Sequence, residues 1–290
     1  MLLENFLANI RDDENLVIEK FPNRILFCGG PCLEQGSSSF RYYYLEKNKL
    51  GNFIIPERIR EWNQYDIYDN LVDFEEDLAS VCCKVIIPLE SAGSISELSV
   101  LCQKKELINR LFVILDEDHD GDSFIRLGPL KLLEKEDDDI VCVSPLIPKM
   151  YCEDDFYENI YDEVSRKIEN KKNNICPFVK ENLGHVSLLL YQVSTYVGII
   201  TFKDAQAICS RFSIDLNKNM FERCKLILQA CELATTQKYM TTKYTFPIEN
   251  INCIRFPFKK NISNISYFVE HRDLLSPDAA KAIRHFNLER

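Results

Sequence analysis

The chain has 290 residues, 46% of them apolar and 28% charged, which excludes a disordered protein and leaves room for two ordinary domains. Met1-Leu2-Leu3-Glu4-Asn5 has no basic n-region and no long apolar run, so no signal peptide is expected, and no stretch approaches the ~18 apolar residues of a membrane helix. Twelve scattered cysteines without a C-x-x-C, and four separated histidines, argue for reduced thiols in a cytoplasmic protein and against a disulfide framework or a metal centre. The net charge of −10 is uneven: residues 1–170 carry 18 Lys+Arg against 35 Asp+Glu, and residues 171–290 carry 17 against 10. A step of that size suggests two domains with different partners, the basic one suited to nucleic acid or an acidic protein face.

Short apolar β-rich runs alternate with helical patterns through the first half. Residues 24–28 read as a buried strand ending in Gly29-Gly30, followed by a helical stretch with Phe40, Tyr43 and Tyr44. Residues 52–55 form a second strand, stopped by Pro56. Residues 69–82 have helical spacing at Leu71, Phe74 and Leu78, with Asp69 as the expected N-cap. Residues 84–89 are a third strand. Ser94 can cap the next helix, with Glu97 three residues on as its capping-box partner. Residues 111–115 and 140–143 are strands four and five, with a helical stretch near 127–134 between them.

Near-continuous apolar strands separated by helices require a parallel sheet covered on both faces. Right-handed crossovers make it doubly wound. The expected fold class is α/β: a five-stranded doubly wound parallel sheet in flavodoxin-like order 2-1-3-4-5 over residues 1–150. Residues 151–175 read as a linker helix. Residues 176–290 read as a mostly helical, winged-helix-like domain. Its helices are expected over 185–199, 201–211 (with Thr201 and Asp204 as a cap pair) and 219–235. A hairpin from the β-rich runs 238–247 and 251–258 follows, then a last helix over 278–287.

Ligands of a doubly wound sheet bind outside the carboxyl ends of its strands. Those ends deliver Gly29 and Gly30 from strand one, Glu57 from strand two, Glu90, Ser91, Gly93 and Ser94 from strand three, and Asp116 from strand four. Gly29 and Gly30 allow positive φ and close approach of a ligand to backbone. The amides of Gly93, Ser94 and Ile95 at a helix N-terminus suit a phosphate or carboxylate. Glu97, one turn in, can reach a sugar carbon held above the turn, as cleavage through an oxocarbenium-like centre requires, with Glu90 as second carboxylate or ribose contact. From spacing alone, a Glu97 that only closes a capping box fits as well.

Two further clusters carry charge. Residues 116–121 open like an EF-hand loop, but Leu127 stands where the bidentate Glu belongs, so a solvated acidic loop is expected. Lys218, Arg223 and Lys225 on the third helix of the second half, and Lys238 and Lys243 of the hairpin with Tyr239 and Tyr244 between them, suit a phosphate backbone or docking on an acidic face. Tyr42-Tyr43-Tyr44 and Phe256 with Phe258 are expected to pack rather than to stack on bases.

Three blocks stand in register: Cys28-Gly29-Gly30, Leu89-Glu90-Ser91-x-Gly93-Ser94-x-x-Glu97-Leu98, and Ser123-Phe124-Ile125-x-x-Gly128-Pro129-x-x-Leu132-Leu133. Together they resemble retron-associated effector proteins, which have a nucleoside deoxyribosyltransferase-like N-glycosidase domain and a C-terminal winged-helix-like domain. The resemblance covers residues 24–135, and beyond them only the general layout. It implies that residues 1–150 form the nucleoside deoxyribosyltransferase-like domain and that Glu97 is its catalytic glutamate. It implies N-glycosidic cleavage of a nucleotide, NAD foremost, as substrate and not cofactor, by a toxin in phage defence. It further implies control by a reverse transcriptase and its multicopy single-stranded DNA, and admits a homo-oligomer or higher assembly, with no membrane involved. Ala92 and Ser99 depart from a proline and a glycine of the family. Two other classes of function fit the same residues: an inactive nucleotide sensor coupled to the winged helix, and a transcriptional regulator whose first half serves assembly.

Overall fold

The computed structural model describes residues 1–11, 16–33, 37–48, 52–64, 66–135, 140–144, 146, 157–169, 175–259 and 261–288. In chain order the first elements are α1 (Leu2–Ala8), β1 (Val17–Ile18), β2 (Ile25–Phe27), α2 (Phe40–Lys47), β3 (Phe53–Ile54), α3 (Glu61–Gln64), α4 (Leu71–Val81), β4 (Lys84–Pro88) and α5 (Ala92–Leu101). Then come β5 (Leu111–Leu115), α6 (Lys131–Glu134), β6 (Val141–Val143), α7 (Glu158–Glu169), β7 (Cys176–Pro177), α8 (Leu183–Val197), α9 (Phe202–Arg211) and α10 (Lys218–Ala230). The last are β8 (Ala234–Tyr239), β9 (Thr242–Pro247), β10 (Ile254–Arg255), α11 (Asn264–Glu270) and α12 (Pro277–His285). Of the expected linker helix, α7 is present, and residues 151–156 and 170–174 lie outside the described residues. By contacts the chain forms two units: Asn23–Ile59 with Cys82–Asn174, and Met1–Pro22 with Arg60–Val81 and Ile175–Arg290.

The first of these is a sheet unit. Its five strands lie in the order β3-β2-β4-β5-β6, and all neighbours are parallel. Ile25 pairs with both Phe53 and Lys84, Ile86 with Phe112, and Val113 with Val141. Every residue of β2 and β5 is buried, as is β4 after Lys84, which is why these strands are written as unbroken apolar runs. The edge strand β6 is only half-buried, with Val143 exposed. Aromatic rings fill one side of the core: Phe27 lies 5.5 Å from Tyr44 and Phe40 lies 5.5 Å from Tyr157, centroid to centroid. Because the strands are parallel, their carboxyl ends gather Gly29-Gly30, Pro56-Glu57, Glu90-Ser91 and Asp116 at one edge.

The second is a helical unit built around α8, whose every residue is buried. Ser187 and Gln192 on it are hydrogen-bonded, as burial demands. Ser187 Oγ donates to Leu183 O (2.8 Å), and Gln192 Oε1 accepts from the amides of Cys253 (2.5 Å) and Ile254 (3.3 Å). Helix α4 lies along α8 with almost no gap. A Cβ built on Gly184 would sit 2.4 Å from Ser80 Cβ and 2.7 Å from Asp77 O. Asn182 Nδ2 also donates to Ser80 Oγ (3.0 Å). The cap of α4 is one residue later than the spacing predicts: Asn70 Oδ1, not Asp69, accepts from Asp73 N (2.9 Å).

Helix α10 ends at Ala230, and Glu232 at φ +52° turns the chain into β8. Residues 231–235, expected as the end of that helix, therefore leave it. The hairpin is β8 with β9, turning at Met240 (φ +53°), with Thr236 and Thr245 hydroxyls 3.0 Å apart across it. The run 238–247 thus contains the turn, and the run 251–258 is not its partner. Instead β10 pairs with β1 in a three-stranded antiparallel sheet of order β10-β1-β7. Ile200, between α8 and α9, exchanges two backbone hydrogen bonds with Thr245 (2.9 and 2.8 Å). Thr201 and Asp204 form the expected capping box of α9. None of the described cysteines is in a disulfide, no described group of His, Cys, Asp and Glu could hold a metal, and no described helix is long and apolar enough to cross a membrane.

Candidate functional site

The loop after β4 begins its helix three residues earlier than spacing suggests. The N-cap is Ser91: its Oγ accepts from Ser94 N (3.1 Å), while Ser94 Oγ accepts from Ser91 N (3.1 Å). Ser91 and Ser94 therefore close the capping box that Ser94 and Glu97 were expected to form. Starting at Ala92 turns Ser94, Leu98 and Leu101 inward. Ser94 is fully buried and its hydroxyl also donates to Ser91 O (2.9 Å), so its side chain is not a ligand contact. The amide of Ile95 donates to Ser91 O (3.2 Å). The exposed amides of Ala92 and Gly93 are then the donors this helix end has to offer.

That shift frees Glu97 from the helix end. It is half-buried beside the carboxyl end of β2, where the Cys28 thiol and the Gly29 amide favour its charged form. Its Oε2 is buried with no partner among the described residues. Burial raises its pKa above the ordinary glutamate value, against the pull of Arg41 and with a smaller push from Glu57. An ionisable group left in that condition disfavours the fold, which makes Glu97 the candidate reactive group of this edge.

Glu90 does the opposite work. Its Oε1 accepts from Gly30 N (2.9 Å) and Arg41 N (3.4 Å), and its Oε2 accepts from Phe40 N (2.7 Å). The carboxylate thus ties the glycine loop to the first turn of α2. Burial raises its pKa and the three amides pull it back. This clamp replaces the expected role of Glu90 as second reacting carboxylate. Gly29 and Gly30 are demanded by the same geometry: Gly29 has φ +126°, and a Cβ on Gly30 would meet Glu90 Oε1 at 2.9 Å. Gly93 is different, because a Cβ there would meet only Ser91 Oγ, at 3.6 Å.

Sequence reasoning missed Arg41. It is 1% exposed and grips Glu57 with both terminal guanidinium nitrogens at 2.6 Å, its Nη1 also reaching Gly30 O (3.3 Å). The signal was a lone charge inside Phe40-Arg41-Tyr42-Tyr43-Tyr44. Burial works against the charge of Glu57, but the hydrogen bonds and charge of Arg41 hold its carboxyl below the usual range. Glu57 is about half exposed (48%), the outward carboxylate at this edge. Asp116 is 2% exposed, and its oxygens accept from Asp118 N (2.9 Å) and Leu146 N (2.8 Å). It closes backbone and is not a ligand contact.

The expected basic face divides. Arg223 is paired with Asp77 (2.6 Å) and lies over the Tyr68 ring (4.2 Å), and Tyr68 Oη donates to the same carboxylate (2.8 Å). Lys225 is buried and paired with Glu222 (2.6 Å). Arg223 is half-buried and Lys225 buried, because α10 turns that face to α3 and α4. Lys218, Lys238 and Lys243 are exposed. Tyr239 and Tyr244 pack on Phe286, and Phe256 and Phe258 pack on Phe6, so these aromatics serve the core.

Residues 37–236 match the family described as STM3845 retron effector protein. A protein of Escherichia coli, named for retron Ec73 and for ribosyltransferase and DNA-binding roles, is 32% identical over 75 residues, which are 26% of this chain and 24% of that protein. The chain thus matches about a quarter of that relative's length. The family match takes in α2, the capped turn before α5, Glu97 and the three helices α8 to α10, which is more than half of the chain. On that match the chain belongs to the STM3845 retron effector protein family.

Proposed function

We propose that the chain is a nucleotide N-glycosidase acting as the toxin of a retron anti-phage defence system, with NAD or a related nucleotide as substrate. The observation that carries this is Glu97 Oε2, a buried carboxylate oxygen with no partner among the described residues, released from capping by the Ser91–Ser94 box. The amides of Ala92 and Gly93 would hold a phosphate or sugar oxygen. The Glu97 carboxylate adds to the anomeric carbon as the N-glycosidic bond breaks, and the bond's electron pair leaves with the base. Nicotinamide, cationic while attached, departs neutral and needs no proton. Water then takes the sugar from the glutamyl ester, gives its proton to solvent and restores the carboxylate. Glu57, held by Arg41, is the second polar group at this edge and a candidate for a ribose hydroxyl.

The strand order supports a flavodoxin-like reading of the sheet unit. The run α8-α9-α10, the β8–β9 hairpin and the Ile200–Thr245 bridge support a winged-helix-like reading of the helical unit. The relative's DNA-binding designation supports nucleic acid as the ligand of the helical unit, and control by a reverse transcriptase and its multicopy single-stranded DNA is part of the same proposal. The test is incubation with NAD and with (deoxy)nucleotides, with and without those partners, while following free base. Base release that disappears in Glu97→Gln supports the assignment. Its absence under every condition removes it.

A further inference from the structure

In a winged-helix arrangement the third helix is the one that enters a groove. Here that helix is α10, and two of its three cations, Arg223 and Lys225, are already engaged within the unit, while Lys218 is exposed. Arg223 is held by Asp77 and Tyr68, Lys225 by Glu222, and Asn219 Nδ2 donates to Ile67 O (3.3 Å). The segment that does this is not a loose cover. Helix α4, which bears Asp77, sits on α8 with the backbone approach at Gly184 that leaves no room for a methyl group. Exposing α10 would mean pulling apart the centre of the unit.

The hairpin has the reverse character. Lys238 and Lys243 stand directly opposite each other across β8 and β9. Both are exposed and neither forms an ion pair among the described residues. Like charges in that position disfavour the hairpin. Helix α12 lies against the same hairpin, with His285 5.1 Å from Tyr239 and Phe286 stacked 5.3 Å from Phe246. It adds exposed Lys281, Arg284 and His285, with Asp278 as its one acid.

We infer that this unit meets nucleic acid through the tip of the β8–β9 hairpin and the exposed cations of α12, and not through α10. The inference rests on the reading of the unit as a nucleic-acid-binding one. The ligand chemistry is a phosphodiester backbone. Cations spread over a hairpin and a helix suit a row of phosphates without base readout.

The test uses the full chain and fluorescence anisotropy with a labelled single-stranded DNA and its duplex over a range of KCl. The double variant Lys238→Gln/Lys243→Gln is expected to bind about tenfold more weakly and to lower the duplex salt slope by about two. Its melting temperature should not fall, because the opposed charges are gone. Lys281→Gln/Arg284→Gln is a second variant with the same expected direction. Lys218→Gln on α10 should change affinity by less than about twofold. Unchanged affinity in both double variants, or loss carried by Lys218→Gln, overturns the assignment of the surface while the nucleic-acid reading stands. Failure of the wild type to bind either DNA in a salt-dependent way, or binding of labelled polyglutamate with no affinity for DNA, overturns both. Base release, scored in parallel, reports separately on the N-glycosidase.

Discussion

Replacing Gly93 by Ala should have opposite effects on fold and function. The space around its Cα is open, and alanine is the better helix former, so stability should hold or rise by as much as about 1 kcal/mol. If the Gly93 amide faces substrate, turnover should fall at least about tenfold. Equal turnover with a raised melting temperature would remove Gly93 from the site. Glu97 carries a pH signature. Its pKa is raised, so the folded protein favours the neutral carboxyl. The stability this brings is fully present below the ordinary glutamate value and is lost as pH rises through the raised one. Glu97→Gln should therefore be more stable than the wild type at neutral pH and lose that advantage in acid, read from denaturant midpoints at both. As nucleophile Glu97 must be ionised, so the acid limb of the turnover profile should lie above the ordinary carboxylate range. A limb at or below that range would assign the reacting group elsewhere.

At the scale of elements, the contact to probe is α4 on α8. Gly184→Ala forces a methyl group into Ser80 and the Asp77 carbonyl, and should cost about 3 kcal/mol by denaturant unfolding. A cost under about 1 kcal/mol would mean the two helices separate easily. The strands were legible because burial on both sides leaves an unbroken apolar run; the limits of β5 coincide with the spacing. The start of α5 was not. Ser91 and Ser94 can both cap, and Glu97 stands three residues after Ser94, so two boxes compete on paper. The winner is decided by Leu98 and Leu101, which reach the core only if the helix starts at Ala92. Glu97 was legible as a candidate, while its freedom from the cap was not. Arg41 was invisible because its partner Glu57 comes from the end of another strand, 16 residues away. An amphipathic pattern likewise shows that α4 buries Phe74 and Leu78, but not against which helix.

At the scale of the whole molecule, the two units interleave along the chain. The crossover from β3 to β4 runs through α3 and α4, which belong to the helical unit. A fragment of residues 175–290 therefore lacks α1, β1 and α4 and leaves one side of α8 bare. It should show helical far-ultraviolet dichroism without a cooperative melt. A sharp transition in that fragment would mean α4 is dispensable to the unit. The same crossover has a consequence for biosynthesis. Helix α4 ends at Val81 and its partner α8 begins at Leu183, so roughly a hundred residues are made between them. At ~5–20 residues per second the wait is roughly 5 to 20 seconds. Over that interval the face of α4 at Asp77 and Ser80 lacks the helix that packs on it, directly upstream of β4. A ribosome halted before α8 holds a chain with Glu97 already made and that strand's incoming helix still unpartnered.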